Sequence, residues 1–139
     1  MKIYWIFLGL FFSTAVFSQI NQTPKIDIEL QKCLSKPENY STLGMIKCVH
    51  KATVKWDKKL NETYRKLLSL LTTTQKLKLK SSQREWLKFR DKEIEFSNQL
   101  YYDLQGTMWR PIAAETKLKL TKNRTLMLQE YLLNLTNAN

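Results

Sequence analysis

Two amphipathic stretches separated by three consecutive threonines, within residues 56–91, constrain the fold more than any other feature. In the first stretch, apolar side chains recur at helical spacing, and charged side chains take the opposite side. The apolar positions are Trp56, Leu60, Tyr64, Leu67 and Leu71 in the first stretch, and Leu79, Trp86, Leu87 and Phe89 in the second. A turn of a few residues at Thr72, Thr73 and Thr74 joins helices that lie side by side, so the sequence predicts an antiparallel helical hairpin.

Polar residues occupy matching heights on the two predicted helices. If the chain folds back near Thr73, residues equidistant from that point lie opposite one another. The predicted pairs are Asp57 with Arg90, Asn61 with Trp86, and Tyr64 with Gln83. Because a buried charge is tolerated only when it is paired, we expect an ion pair between Asp57 and Arg90. The network either fixes the register of the hairpin as part of the core or forms a ligand or catalytic site.

These residues resemble the signature of the LprI-like domain family. They form D-x-x-L-N-x-x-Y at residues 57–64 and Q-x-x-W-x-x-x-R-D at residues 83–91, which ends with Asp91. Gly106 and the L-T-x-x-R sequence at residues 120–124 are similar to the Gly-rich loop and closing helix of such domains. The resemblance covers most of the chain after Cys33. Because the family is named for a lipoprotein described as a lysozyme inhibitor, the resemblance implies an exported bacterial domain that binds a protein partner, with lysozyme as the candidate.

The chain departs from the family pattern at a second cysteine pair. Family members often carry one cysteine just after the R-D sequence and another shortly before L-T-x-x-R, where this chain has Ile94 and Thr116. Both cysteines are absent together. We therefore expect side-chain packing to hold the hairpin against the last helix.

The N-terminal segment has the features of a secretory signal. Lys2 precedes an apolar run at residues 3–17, and Val16, Phe17 and Ser18 resemble a cleavage site. The run is shorter than the roughly 20 apolar residues that span a bilayer. No cysteine adjoins the predicted cleavage site, so lipid attachment is not expected. We predict a signal peptide at residues 1–18 and one mature domain at residues 19–139, which is exported to the periplasm or the medium without a membrane-spanning helix.

Residues 23–36 fit two patterns. Ile26, Ile28 and Leu30 alternate as in a strand, whereas Ile26, Leu30 and Cys33 fit a helix face. A lone strand would have no partner, so we predict a short helix with Thr23 as its cap and Pro24 at its first position. Pro37 ends this helix.

The two cysteines, Cys33 and Cys48, flank the turn at Pro37. An exported chain reaches an oxidising compartment, so we predict a disulfide between them. Closing this loop contributes about 3 kcal/mol in the chain-entropy model. Ser41 or Thr42 is expected to begin the following helix.

The second hairpin helix is predicted to continue to about Leu104. A loop follows with a candidate partner-binding epitope, which consists of Thr107, Met108, Trp109 and Arg110. Tryptophan and arginine are frequent interface anchors, although Trp109 could instead close the end of the bundle. Pro111 is predicted to begin the last helix, from which Arg124 could reach Asp57 or Asp91. The expected fold is all-α: a small helical bundle with three long antiparallel helices, a short N-terminal helix and one disulfide.

The sequence contains few residues suited to catalysis. His50, the single histidine, lies between Lys47 and Lys51 and is expected on the surface. Nucleophilic catalysis needs a base and an orienting group beside the nucleophile, and no such set is apparent. There is no Gly-rich phosphate loop, and two cysteines with one histidine make a poor metal site. We therefore predict neither an enzyme nor a bound cofactor or metal.

The remaining feature is a strong positive charge. The formal net charge of +11 becomes +10 when residues 1–18, which contain one lysine and no acid, are removed. Charge of this density attracts polyanions. For an exported protein the candidate anions are membrane lipid, lipopolysaccharide or wall polymer rather than nucleic acid. This alternative to a protein partner stands beside the simpler interpretation that the lysines keep a helical bundle soluble.

Overall fold

A computed structural model describes residues 24–138, which form four α-helices and one short 3-10 turn. The helices are α1 (Lys25–Leu34), α2 (Thr42–Leu70), α3 (Thr73–Tyr102) and α4 (Trp109–Asn137), and the 3-10 turn is Pro37–Asn39. No strand occurs between residues 24 and 138, which confirms the predicted all-α bundle with three long helices and a short one. The predicted signal peptide lies outside the described residues. None of the helices in the described part is long and apolar enough to cross a membrane.

The 3-10 turn folds α1 back against the start of α2. Gly44 is required here, because a Cβ atom at this position would lie 2.6 Å from the Asn39 Cα atom. The Asn39 side-chain amide donates a 2.8 Å hydrogen bond to the carbonyl oxygen of Cys33. The turn therefore places Cys33 and Cys48 together, and their predicted disulfide is present with a Cα–Cα distance of 5.7 Å.

Ser41 begins α2 as predicted, because its hydroxyl accepts a 3.1 Å hydrogen bond from the Gly44 backbone N–H. At the start of α1, Pro24 precedes the first helical residue, so its predicted place inside the helix is wrong by one residue. Thr23, the predicted cap, lies outside the described residues.

A polar side chain from α1 secures it to the rest of the bundle. Asp27 accepts a 3.2 Å hydrogen bond from the Trp56 indole N–H and pairs with Lys122 of α4. The Lys122 ammonium also lies 5.9 Å from the centre of the Trp56 ring. One half-buried carboxylate thus joins α1, α2 and α4, and Lys55 adds a second ion pair with Glu29.

The predicted hairpin turn is confirmed between α2 and α3. Thr72 caps α3 by accepting a hydrogen bond from the Gln75 backbone N–H, and the Gln75 side chain accepts one from the Thr72 N–H at 2.9 Å. This reciprocal pair is a capping box, which satisfies two backbone groups at once. It explains why a short Thr-rich segment can end one long helix and begin the next.

The closest helix pairs are α2 with α4, α3 with α4, and α1 with α2, whereas the backbones of α2 and α3 approach each other at few positions. The core lies mainly between α2 and α4. One cluster contains Val49, Ala52, Trp56 and Leu118, and the other, which we call the lower core cluster, contains Leu60, Leu67 and Leu128. The last helix therefore supplies the main packing partner of α2, and the two hairpin helices diverge around it.

The apolar stripe predicted on the second hairpin helix is only half correct. Leu79 and Trp86 pack against the core, but Leu87 and Phe89 are exposed. Farther along α3, the Ser97 and Thr116 hydroxyls form a 2.6 Å hydrogen bond across to α4. Thr116 occupies one of the positions at which members of the resembled family often carry a cysteine, and here a polar contact joins the two helices near that point.

Candidate functional site

The divergence of α2 and α3 leaves an open groove of about 480 Å³ between them. We call it the α2–α3 groove. It is lined by Asp57, Leu60, Asn61, Tyr64 and Leu68 from α2, and by Lys80, Gln83, Arg84, Trp86, Leu87 and Arg90 from α3. All six residues of the predicted polar ladder thus lie on the two walls of one groove. The prediction from equal heights therefore identified the correct residues on each helix, although the groove separates the two helices.

The predicted ion pair across the groove is wrong. The Arg90 guanidinium donates two hydrogen bonds to the carboxylate of its own neighbour Asp91, at 2.9 and 2.7 Å. The Asp57 carboxylate instead accepts a 3.2 Å hydrogen bond from the Asn61 amide on the same helix. Asp57 is half-buried and Asp91 is exposed, so both carboxylates remain accessible to solvent. An ion pair between Asp57 and Arg90 would be required only in a closed interface between the two helices.

Trp86 forms the centre of the groove. The Arg90 guanidinium lies 5.4 Å from the centre of its ring, and the Arg124 guanidinium of α4 lies 5.9 Å from it. Both distances fall within the range of cation–π interactions. Trp86 also packs against the lower core cluster. Its ring is therefore fixed by contacts with that cluster and with the two guanidinium groups.

Arg124 is buried beneath the groove without the carboxylate that we expected. Its Nε atom donates a 3.0 Å hydrogen bond to Gln83 Oε1, and its Nη2 atom donates one of 3.2 Å to Ser82 Oγ. Among residues 24–138 it forms no ion pair, so the predicted reach to Asp57 or Asp91 is wrong. Burial lowers the pKa of the Arg124 guanidinium, and the nearby phenols of Tyr131 and Tyr64 partly oppose that effect.

Sequence reasoning missed Ser82, although a signal was available. Ser82 and Gln83 are adjacent, and together they offer two oxygen atoms to a guanidinium that approaches from α4. Neutral oxygens can satisfy a buried arginine when they accept its N–H groups. An arginine on the apolar side of a helix therefore need not indicate a buried acid.

Half of the predicted binding loop is helical in the structure, since Trp109 and Arg110 lie in the first turn of α4 whereas Thr107 and Met108 form a turn. Trp109 begins α4, two residues before the predicted start at Pro111. The Trp109 ring stacks on Tyr101 with a centroid distance of 6.1 Å, and its N–H donates a 3.0 Å hydrogen bond to the Gln105 carbonyl. The short connection turns at Gly106, whose φ of 99° favours glycine.

The rest of that segment remains accessible. Met108 is exposed, and the Arg110 guanidinium lies 6.0 Å from the centre of the Tyr102 ring. Thr107 is also exposed. Trp109 is half-buried against α3, so its contacts resemble those of a residue that closes the end of the bundle. The segment stays a candidate epitope, with Met108 and Arg110 as its accessible side chains.

The α2–α3 groove presents polar and aromatic groups that can bind a partner. Asn61, Arg84 and Arg90 supply hydrogen-bond groups, and Trp86 supplies an aromatic surface. His50 is exposed on α2 and does not line this groove. Within residues 24–138, no cluster of three histidine, cysteine, aspartate or glutamate side chains could hold a metal ion.

Comparisons with known proteins agree with the helical architecture. The family model described as lysozyme inhibitor LprI matches residues 33–128, a span that includes the disulfide and both walls of the groove. The crystal structure of an uncharacterized protein from Burkholderia thailandensis is similar, with a TM-score of 0.77 and 26% sequence identity. That similarity covers 84% of this chain and 58% of the Burkholderia chain, so this chain spans little more than half the length of its structural relative. No match to a curated protein was found.

Proposed function

Because this chain belongs to the lysozyme inhibitor LprI family, we propose that it is an exported protein that binds a lysozyme through the α2–α3 groove and lowers its activity. The observation that carries this proposal is the position of the family motif. The residues 57–64 and 83–91 that carry the resemblance include six of the groove-lining side chains that were predicted to face one another. A motif that served packing alone would fill the space between its two helices.

The groove offers the side chains that contribute most to protein interfaces. Tyrosine, tryptophan and arginine are enriched among the residues whose truncation weakens binding most, and the groove contains Tyr64, Trp86 and Arg90. Each is half-buried, so it can present a surface while its conformation is held by the protein. Side chains fixed before binding lose less entropy when a partner docks.

The charge of the groove supports a lysozyme as the partner. Lys80 and Arg84 are exposed on the α3 wall, close to Arg90. Lysozymes hydrolyse glycosidic bonds with a pair of carboxyl groups, which are complementary to such cations. Contact with those carboxyl groups would block access of the polysaccharide and so reduce hydrolysis.

Export is part of the same proposal. The described residues contain one disulfide, which persists in oxidising compartments such as the periplasm or the medium. The apolar N-terminal segment at residues 1–18 supplies the route, and a lysozyme acts on the wall outside the cytoplasm. The function therefore requires the mature domain and no cofactor.

Long-range electrostatics give this function a distinctive salt dependence. The mature domain carries about +10, and lysozymes are usually basic, so the two proteins repel at a distance. Salt screens that repulsion, and we expect inhibition to strengthen between low and physiological ionic strength. Binding to an anionic polymer would weaken over the same range, since the counterions released on binding gain less entropy when the bulk salt concentration is high.

The decisive experiment measures lysozyme activity on bacterial cell walls in the presence of the mature protein and matched variants. Leu87→Glu places a charge in the groove, whereas Leu100→Glu places the same charge on α3 outside the residues that line it. Both leucines are exposed, at 38% and 46%, so both variants should fold. We expect Leu87→Glu to reduce inhibition about tenfold or more and Leu100→Glu to leave it unchanged.

A third variant tests the competing epitope. Trp109→Ala combined with Arg110→Ala removes the candidate anchors next to Met108. If this double variant loses inhibition while its melting temperature stays unchanged, the loop is the interface and the groove proposal fails. Absence of inhibition by the unmodified protein at every salt concentration would contradict the proposed function itself.

A further inference from the structure

The end of the bundle that carries the α2–α3 turn has an unusual charge distribution. Residues 63–84 contain six basic residues and no acidic residue. They are Arg65, Lys66, Lys76, Lys78, Lys80 and Arg84. None of these six side chains forms an ion pair with another residue in the described part of the chain. We call this end of the molecule the turn end.

Large apolar side chains are exposed at the same end. Leu70, the last residue of α2, is 48% exposed, and Leu77 in the second turn of α3 is 64% exposed. Leu133, near the end of α4, is 58% exposed. Leu77 lies between Lys76 and Lys78, and Leu70 lies one helical turn after Lys66. The combination of free cations and exposed leucines is typical of surfaces that bind anionic membranes.

An apolar cleft of about 490 Å³ opens between the three long helices at the turn end. Its walls include Leu67, Leu71 and Leu79 near the turn, and Tyr131 and Leu135 from α4. Leu67 is 2% exposed, so the cleft reaches the lower core cluster. Lys78 lines the cleft as its cation. Apolar walls with an adjacent ammonium group match an acyl chain joined to an anionic headgroup.

The opposite end of the bundle differs in its charge pairing. There the half-buried acid Asp27 pairs with Lys122, and Glu29 pairs with Lys55. The Lys55 ammonium and the nearby Lys25 and Lys51 hold the pKa of Glu29 below its usual value. Cations at that end are partly neutralised within the protein, whereas those at the turn end are available to an external anion.

We propose that the turn end docks onto the surface of an anionic phospholipid bilayer. Leu70 and Leu77 insert among the headgroups, the six basic residues attract the phosphates, and the cleft accepts part of one acyl chain. The proposed contact is peripheral, because only side chains of the turn end enter the bilayer surface. The inference goes beyond the proposed function and does not depend on it.

Co-sedimentation with vesicles tests the proposal. Vesicles of phosphatidylglycerol and phosphatidylcholine are compared with vesicles of phosphatidylcholine alone at low and physiological salt. We expect binding to the anionic vesicles only, with an affinity that falls as salt rises. Leu70→Gln combined with Leu77→Gln should weaken the affinity by about tenfold for each leucine. The matched control is Leu43→Gln, since Leu43 is 61% exposed near the start of α2.

Two charge variants separate a local contact from diffuse attraction. Lys66→Gln with Lys78→Gln removes two charges from the turn end, and Lys58→Gln with Lys59→Gln removes two from the middle of α2. All four lysines are exposed. We expect each lysine removed from the turn end to lower the affinity for anionic vesicles about fivefold, and the control pair to lower this affinity clearly less. Equal losses for the two pairs, or equal losses for the leucine variants and Leu43→Gln, would overturn the proposal.

Insertion depth provides an independent measurement. In the Leu77→Trp variant, the fluorescence added relative to the parent protein should shift to the blue with anionic vesicles and be quenched by brominated acyl chains. Leu43→Trp should show neither change. A water-exposed emission from Leu77→Trp on bound vesicles would mean that the turn end does not insert. Lysozyme inhibition is measured without vesicles on the same variants, so failure of one proposal leaves the other testable.

Discussion

The two sides of α2 show how differently one helix can meet its neighbours. Toward α4, Val49, Ala52, Leu60 and Leu67 are nearly inaccessible, and the two helices are close enough for the Thr125 hydroxyl to reach the Trp56 carbonyl at 3.4 Å. Toward α3, the same helix borders an open groove of about 480 Å³. The helix that follows α2 directly in sequence is therefore not its main packing partner.

Small residues explain this difference. Thr121 and Thr125 on α4 have no exposed surface, and Ala52 and Thr53 on α2 are almost completely buried. Short side chains allow helix backbones to approach closely. On the groove side the facing residues include Tyr64, Trp86 and two arginines, which are long and partly charged. Such side chains hold the helices apart, and the space between them becomes a surface for binding.

The largest expected effect breaks the close interface. Leu128→Ala removes a side chain with no exposed surface that packs against Leu60 and Leu67. We expect a loss of about 4 kcal/mol in the free energy of unfolding, because the cavity cannot collapse between two long helices. Denaturant unfolding measures it. Leu87→Ala in the groove is the matched control and should cost under about 1 kcal/mol.

Removal of the disulfide comes next in size. The pair Cys33→Ser and Cys48→Ser should lower stability by about 3 kcal/mol in the chain-entropy model. The helices α2, α3 and α4 should persist, since their cores lie away from the disulfide. Thermal unfolding followed by circular dichroism checks both points. Complete loss of helix at room temperature would show that α1 and the disulfide organise the whole bundle.

Arg124→Met tests the polar contact beneath the groove. The variant leaves the buried Gln83 oxygen without its donor, which should cost about 1 to 2 kcal/mol. No carboxylate is left unpaired, so the loss should be smaller than for a broken buried ion pair. Adding Gln83→Leu to Arg124→Met should recover part of the loss. A destabilisation that Gln83→Leu does not alter would contradict the hydrogen-bond assignment.

The smallest effect concerns the groove walls themselves. A double-mutant cycle with Asp57→Leu and Arg90→Met should give a coupling energy below about 0.5 kcal/mol, because the two side chains do not form an ion pair in this structure. Chemical denaturation of the four proteins provides the cycle. A coupling of several kcal/mol would show that the groove closes in solution and that the walls meet.

Local signals in the sequence predicted much of the fold. The threonines at residues 72–74 and the apolar spacing before them located the hairpin, and the start of α2 was predicted at Ser41 or Thr42, of which Ser41 is the cap. The positions of Cys33 and Cys48 around a proline turn predicted the disulfide. These features depend on residues that are near one another in the chain, so their geometry follows from backbone hydrogen bonds and short connections.

Side-chain partners across helices were harder to predict. Equal height on a hairpin indicated that Asp57 and Arg90 face each other, and both do line one groove. Equal height along the hairpin does not give the distance between the helix axes. It therefore could not show whether the two side chains come close enough to form an ion pair. Arg90 has an acid directly after it in sequence, and that neighbour satisfies it at lower entropic cost.

The sequence by itself determined the all-α class, the hairpin turn, the disulfide and the family resemblance, because helical periodicity, caps and motif spacing are written in consecutive residues. Only the tertiary structure decided that α4 takes the place beside α2 and that the hairpin opens into a groove. Helix separation depends on the combined volume of side chains from three helices. The small, buried Thr121 and Thr125 that contribute to it lie on α4, far from α2 in sequence.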